Sequence, residues 1–448
     1  MTEQAVRTVS EQEALADFDT MWQIINDTHF DPDFNGVDWN AVKEELRPQA
    51  AQATNRRQIR RIMSEAMSRL GQSHFGIIPG APSTSIAQMD DAQDSTPSAT
   101  DAVIPQSSND ASTDGEGKSD TGIDVRIIDG QAVVSSIRDQ SPAHNAGIKT
   151  GWILDFIRDD SISDGLAMLA ESVSEDEVGI HGVGMVTNRL QGPEGSTIDL
   201  TFLNDHDEEV TIALTRAPMP GEFVKFGNLP PLSTHLEYSR LTRTSSDGST
   251  TEIGVISFNI WMMPIAAKFE RAMYELRDVD GIIIDLRGNP GGIGALSSAI
   301  GRFIMDEPGS LGTMKMRGAD LSFNIQPVIV TTWGERLDPF TGPVAVLTDS
   351  GTASTSEVFA GGLQALGRVE VFGTRSAGMA LPAGMEKLPS GDVLLHAIAD
   401  FVTSTGYQLE HGGVVPEHHI PLTRSDLLSG MDSPKEAAAE WIERSVME

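Results

Sequence analysis

Residues 281–292 read Gly-Ile-Ile-Ile-Asp-Leu-Arg-Gly-Asn-Pro-Gly-Gly, and the fold turns on this stretch. Ile282-Ile283-Ile284 is a continuous apolar run, the pattern of a strand buried on both faces, as parallel sheets require. The glycines and Pro290 follow at once, so the backbone can turn sharply and bare its N–H groups, as an oxyanion site needs. Asp285 and Arg287 read as a structural pair at the strand end. Residues 344–357 repeat the arrangement: Val-Ala-Val-Leu-Thr-Asp runs into Ser350-Gly351-Thr352-Ala353-Ser354-Thr355-Ser356-Glu357, which opens a helix. A serine at a helix start lies near the positive end of the dipole, where developing negative charge is favoured. Each junction alone has an ordinary explanation, a glycine-rich turn in the first and helix capping in the second.

Working outward, residues 253–260 (Ile-Gly-Val-Ile-Ser-Phe-Asn-Ile) form another strand, and 264–277 a helix with Phe269, Met273 and Leu276 on one side. Strands alternating with helices over about 228–428 predict an α/β layer structure. Beyond it, Ser433, Pro434 and Glu436 predict a capped C-terminal helix, with Ser433 as N-cap and Trp441 packing back on the core or a partner.

Residues 1–81 read as helices. Leu15, Phe18, Trp22 and Ile25 share one face; Asp38 caps a second helix; Thr54 caps a third, whose apolar face is Ile59, Ile62, Met63, Ala66, Met67 and Leu70. Gly71 stops that helix, and a short strand follows Gln72-Ser73-His74-Phe75-Gly76. Residues 82–121 carry eight acidic residues, one Lys and almost no large apolar side chains, which predicts a flexible linker. Order returns over 122–218 as short strands with one small helix between them. Val133-Val134, Ser141-Pro142-Ala143, Ala146-Gly147-Ile148, Gly195 and Arg216 make this stretch resemble a PDZ domain. Trp152 departs from that pattern, because an aspartate usually follows the glycine there.

The 65 Asp+Glu against 32 Lys+Arg, a net charge of -33, argue against nucleic acid and anionic membrane surfaces, which need clustered Lys and Arg. Cysteine is absent, so disulfides, thiolate zinc sites and a cysteine nucleophile are excluded. No apolar run reaches the roughly 18 residues of a membrane helix. Residues 1–17 lack the basic start and apolar centre of a signal peptide. The compartment stays open: cytoplasm, or the cell envelope had a leader been removed.

The two junctions together, in this order, resemble the tail-specific (C-terminal processing) serine peptidases of the S41 type and their tricorn-like relatives. Asp285–Gly292, the stretch 350–368 and Gly412-Gly413-Val414-Val415-Pro416-Glu417-His418-His419 carry the resemblance. It implies an α/β fold with a crotonase/ClpP-like catalytic core, an N-terminal helical domain and an inserted, mostly β PDZ domain. In the Ser–Lys branch of the family a lysine supplies the base, but the position that would hold it is Met379, and the next lysine, Lys387, is expected to face solvent. The tricorn-like branch instead takes a Ser-His pair from before the PDZ domain and a Glu from beyond the nucleophile. Ser73-His74 and Glu410 match it.

The resemblance therefore implies Ser354 as nucleophile, His74 as base, and Ser73 and Glu410 as a relay orienting the imidazole. It further implies Gly291 or Gly292 with Thr355 as oxyanion donors, and the N–H groups around Gly122, Ile123 and Asp124 as a PDZ carboxylate loop. With an ordinary imidazole, activity would fall as pH drops through about 6.5. Ser356 stands as the alternative nucleophile, and a core-facing histidine as the alternative for His74. His411, His418 and His419 are expected at the active-site rim, without a metal, since their spacing is not a usual ligand spacing. The implied function is a cofactor-free serine endopeptidase acting on peptides or unfolded protein tails. A catalytically silent peptide-binding protein and a crotonase-like acyl enzyme remain as other readings. A homo-oligomer is compatible with the sequence, which does not fix the assembly.

Overall fold

The computed structural model describes residues 9–80, 118–171, 173, 175–225, 231–245 and 248–447. Residues 82–117 of the expected linker lie outside them. The molecule is mixed α/β, centred on a six-stranded sheet in the order Leu236–Thr244, Thr250–Phe258, Gly281–Asp285, Val344–Thr348, Glu370–Gly373, His418–His419. The first pair is antiparallel and every later pairing parallel. Because side chains alternate along a strand, the apolar runs feed two cores at once. Ile282, Ile284, Val344, Val346 and Val371 pack under the helices Met263–Glu275, Ala295–Gly301 and Thr355–Ala365. Ile283, Ala345, Leu347 and Phe372 face the other way, onto Ala438, Ala439 and Ile442 of the C-terminal helix Ser433–Met447. Approach there is close: a Cβ on Gly281 would lie 2.3 Å from Ile442 Cγ2. Trp441 stacks at a tilt on Phe372, 5.8 Å between ring centroids.

The cap of this last helix differs from expectation. Asp432 Oδ1 accepts the Lys435 N–H (3.3 Å) and its carbonyl the Glu436 N–H, while the Glu436 carboxylate pairs with Arg243. Asp432 is drawn to this place by Arg287, which it holds together with Asp285.

The N-terminal helices Glu11–Thr28, Trp39–Ala51 and Arg56–Ser68 bury Phe18, Met21, Trp22, Ile25, Trp39, Leu46, Ile59 and Met63 among themselves. The third is capped by Asn55, one residue later than expected: Asn55 takes an extended φ/ψ and its side chain accepts the Gln58 N–H, while Thr54 bonds the Gln58 side chain. The strand Gly76–Ile78 then joins the C-terminal part of the chain as the edge of a three-stranded sheet, pairing antiparallel with Val393–Ala397. Asp392, buried, fixes this seam by accepting two bonds from Arg60 (2.8 and 2.9 Å) and one from the Gly80 N–H (2.8 Å). Leu388 and Leu394 complete the helical core.

Residues 119–218 form an antiparallel six-stranded sheet ordered Ile123–Ile128, Gln131–Ile137, Ile153–Ile157, Thr197–Leu203, Glu209–Thr215, with Asp160–Ser161 pairing Ile153–Ile157 off this path. Ser119–Asp120 already pairs with Ala217–Pro218, so ordered structure begins inside the stretch read as linker. Besides the short helix Pro142–Asn145 there are two more, Ile162–Ala170 and Glu175–Leu190, where the sequence reading had only one. The second hid because Gly179, Gly182 and Gly184 weaken its helical signal. Two of those glycines are steric requirements: a Cβ on Gly182 would meet Leu166, and one on Gly179 would lie 2.2 Å from Ser350 Oγ. Buried Arg216 bonds the Leu190 and Arg189 carbonyls (2.8 and 3.0 Å), which anchors the end of that helix. Trp152 is also buried and packs against Phe202, 5.9 Å between ring centroids.

Candidate active site

Ser354 stands between the strand Val344–Thr348 and the helix Thr355–Ala365, with φ 55° and ψ −118°. For a side-chain-bearing residue this left-handed backbone is strained, at about 1–3 kcal/mol. Its hydroxyl is not used for capping, because the Glu357 N–H goes to the Ser354 carbonyl (2.8 Å). Ser354 Oγ instead lies 3.2 Å from His74 Nε2. Ser356, the alternative, is fully buried; its hydroxyl donates to the Asn289 carbonyl (3.1 Å) and accepts from Trp261 Nε1 (2.8 Å).

Beyond Ser354 the contacts continue. His74 Nδ1 is 2.7 Å from Ser73 Oγ, which donates to Glu410 Oε2 at 2.9 Å; Glu410 Oε1 accepts the Ser73 N–H at 2.8 Å. The order of donors follows. An ionised carboxylate only accepts, so the Ser73 proton points at Glu410, Nδ1–H points at Ser73 Oγ, and Nε2 keeps a lone pair toward Ser354. The Ala380 N–H also bonds Glu410 Oε2 (2.9 Å), although burial raises this carboxyl above its ordinary range. His74 is itself left-handed at φ 62°. Burial, with no charged partner, pushes its imidazole down to about 4, so the expectation of an acid limb near 6.5 from an ordinary histidine does not carry over.

The expected oxyanion donors gather beside Ser354. A Cβ on Gly291 would lie 2.6 Å from Ser354 Cβ and 2.9 Å from Thr355 N. The Gly291 N–H, however, donates to Asn289 Oδ1 (3.0 Å), and buried Asn289 is itself tied to the Phe258 carbonyl. Of the two glycines this leaves Gly292 with its donor. Thr355, as the first helical residue, keeps its N–H too, and its hydroxyl ties the helix start to the Gly292 carbonyl (2.8 Å).

The other singled-out residues lie elsewhere. Met379 is buried beside Ser354, whose N–H it accepts, and Lys387 is exposed. The three downstream histidines do not converge. His411 is exposed, 4.0 Å from Glu410; His418 leaves the expected rim for the edge of the central sheet, paired with Glu370 and stacked on Phe372 because strand pairing puts it there. Among the described residues no group of His, Asp or Glu is placed to hold a metal ion. In the expected carboxylate loop, the Gly122 N–H is taken by Asp120 Oδ1 (3.0 Å), Ile123 is paired with Ile137, and Asp124 accepts from Ser136 (2.8 Å).

Sequence reasoning missed Arg126, Asn289 and the full reach of Glu357. Arg126 leaves the strand Ile123–Ile128 to pair with Asp349 (2.7 Å) and bond the Arg287 carbonyl (2.9 Å), touching both site-forming turns. From the same unit, Ile180 packs on Ala353, Ala377 and Met379. Nothing in the sequence singles out Arg126 among the arginines. For Glu357 the Ser-x-x-Glu spacing at a helix start was a visible signal.

Comparison with known proteins fits this geometry. Residues 252–420 match the model of peptidase family S41, and residues 10–68 that of the tricorn protease C1 domain. The chain is 24% identical over 291 residues to the chloroplastic carboxyl-terminal-processing peptidase 3 of Arabidopsis thaliana, covering 64% of this chain and 50% of that protein. To the carboxy-terminal processing protease CtpB of Bacillus subtilis it is 23% identical over 300 residues, 66% and 54% of the two. Among solved structures, mature CPAF superposes with TM-score 0.59 at 14% identity, covering 97% of this chain and 96% of that one. The photosystem II D1 C-terminal processing protease gives 0.55 at 19%, covering 92% and 94%. Together the matches relate this chain to serine-type peptidases. More particularly, residues 252–420 are similar to the S41, carboxyl-terminal-processing kind. The chain spans about half the length of the curated relatives it matches.

Proposed function

We propose that this chain is a serine endopeptidase that cleaves peptides or unfolded protein C-terminal regions through Ser354, His74, Ser73 and Glu410. The observation that carries the reading is the continuous line of contacts Ser354 Oγ–His74 Nε2, His74 Nδ1–Ser73 Oγ, Ser73 Oγ–Glu410 Oε2, at 3.2, 2.7 and 2.9 Å. As Ser354 Oγ bonds the scissile carbonyl carbon, its proton passes to His74 Nε2. The charge on the imidazolium is met by Ser73 and, through it, by Glu410. The carbonyl oxygen, now negative, takes the N–H groups of Gly292 and Thr355, each such donor being worth about 10²–10³ in rate. His74 then gives the proton to the leaving amine as the C–N bond breaks. A water repeats the sequence and frees the acyl group from Ser354. The low proton affinity of buried His74 keeps the base neutral and ready at ordinary pH.

The core that presents these groups is read as crotonase/ClpP-like, and residues 119–218 as a PDZ unit. In support of the latter, Ile123–Ile128 lies at the edge of its sheet with the helix Glu175–Leu190 nearby, the layout in which a peptide adds as a further strand. Digestion of an unbiased peptide library by wild type beside Ser354→Ala tests the function. Cleavage by the wild type alone is expected; equal cleavage by both would refute it.

A further inference from the structure

The fully buried carboxylate of Glu357 gathers more hydrogen bonds than a helix cap needs. Oε2 accepts the N–H groups of Ser354 (2.9 Å) and Met379 (3.0 Å); Oε1 accepts the Gly378 N–H (2.7 Å) and the Ser376 hydroxyl (2.6 Å). No cation pairs with it among the described residues. Three of its four donors come from the strap Ser376–Ala380, far along the chain, whereas capping uses only the fourth. The same strap gives its next N–H, from Ala380, to Glu410, and its Met379 carbonyl takes a second bond from the Ser354 N–H (2.9 Å). One short peptide segment is thus gripped by two carboxylates, one behind the nucleophile and one behind the base.

We propose that Glu357 is a positioning residue of the reaction: its carboxylate holds Ser354 in the left-handed conformation and ties it, through the strap Ser376–Ala380, to the Glu410 end of the relay. This rests on the peptidase reading above. A strained conformation persists only where its surroundings over-determine it, and here the Ser354 N–H is fixed by Glu357 and Met379 together. Protonation loosens the grip, because a neutral carboxyl has one oxygen that must donate, while three of the four groups facing it are backbone N–H groups that only donate and the fourth, the Ser376 hydroxyl, already accepts the Val414 N–H. Burial pushes Glu357 up to about 7, with Glu410 as the charged neighbour and exposed His411 beyond it; the strap holds no titratable side chain. Loss of kcat as pH falls through neutrality then falls to Glu357 and the neighbouring Glu410, both raised by burial, since His74 titrates far lower, and the variants Glu357→Gln and Ser376→Ala separate the Glu357 share.

The test is kcat and KM on a cleaved peptide from pH 5 to 9 for wild type, Glu357→Gln and Ser376→Ala, with fluorophosphonate labelling of Ser354 alongside. Glutamine reproduces the neutral state, so Glu357→Gln should hold kcat about 10²-fold below the wild-type alkaline plateau at every pH, as small misplacements do, with KM nearly unchanged and the neutral limb gone. Ser376→Ala removes a bond that lowers the Glu357 pKa, so its limb should move to higher pH. If Glu357→Gln does not fold, the Ser376→Ala limb decides alone. A folded Glu357→Gln with wild-type kcat, or a Ser376→Ala limb that does not move, overturns the positioning role and leaves the peptidase reading intact. A wild type that neither cleaves nor labels overturns both.

Discussion

At the residue scale, the two serines of the helix start have separate employment. Ser354 faces the imidazole, whereas Ser356 holds Trp261 and the Asn289 carbonyl. Ser354→Ala should abolish peptide cleavage and leave the melting temperature within a few degrees of wild type, since no capping bond is lost. Ser356→Ala should keep measurable activity but lower stability by about 1–3 kcal/mol, the penalty for leaving a buried donor without its partner. Peptide turnover and thermal melts of the two variants check this; residual Ser354→Ala activity within tenfold of wild type would point to another nucleophile. His74 carries a pH signature of its own. Its folded pKa lies below the unfolded 6.5, so the unfolded chain binds more protons between about 4 and 6.5. Its contribution is complete above pH 6.5 and is lost as pH falls toward 4, about 3 kcal/mol in all. In denaturant titrations at pH 7 and 4.5, His74→Gln should lose less stability than wild type; equal losses would contradict a buried neutral imidazole. Lys387→Ala should leave activity unchanged.

At the element scale, Ser73 and His74 reach Ser354 because a three-residue strand docks the helical block onto Val393–Ala397. Gly76–Ile78 follows directly on Ser73-His74, so its pairing with Val393–Ala397 sets where the imidazole stands. Arg60→Ala should remove the bidentate hold on Asp392 and leave that buried carboxylate with the Gly80 N–H as its remaining bond from the helical block. Because Arg60 is itself about a third exposed (30%), the loss should be about 1–3 kcal/mol rather than the value for a fully buried pair. A lower denaturation midpoint with reduced kcat is expected; a lower midpoint with unchanged kcat would mean the seam does not position His74. How much of this was legible depends on range. The helical faces and apolar runs such as Ile282–Ile284 and Val344–Leu347 are periodic within one turn or strand, and the structure keeps them. Pairing of residues 76–78 with 393–397 has no local signature, because main-chain bonds carry no side-chain code. The helix Glu175–Leu190 was hidden by glycines whose reason lies in other elements, Leu166 and Ser350. Caps slipped by a residue at Asn55 and Asp432, where two neighbouring polar residues compete for one role.

At the scale of the whole molecule, three segments distant in sequence meet at one point, and that is where sequence reading reached furthest and stopped. Ser73, His74, Ser354 and Glu410 could be nominated because the resemblance supplied the pattern; their distances could not. Arg126 shows what lay beyond reach, since its role depends on how residues 119–218 sit against the turns at 287–288 and 349. Arg126→Ala should release that unit from both turns. Asp349 would still accept from the Gly288 and Gly351 N–H groups, so the fold should survive while kcat falls several-fold. Wild-type turnover in that variant would mean the unit plays no part in ordering the site.

The central claim is that Ser354 is a nucleophile activated by His74. Fluorophosphonate labelling, followed by mass-spectrometric mapping of the modified residue, tests it most directly. One adduct is expected, on Ser354, formed rapidly by the wild type and lost or greatly slowed in His74→Ala. An adduct on Ser356 or elsewhere, or labelling of Ser354 that does not change without His74, would contradict it.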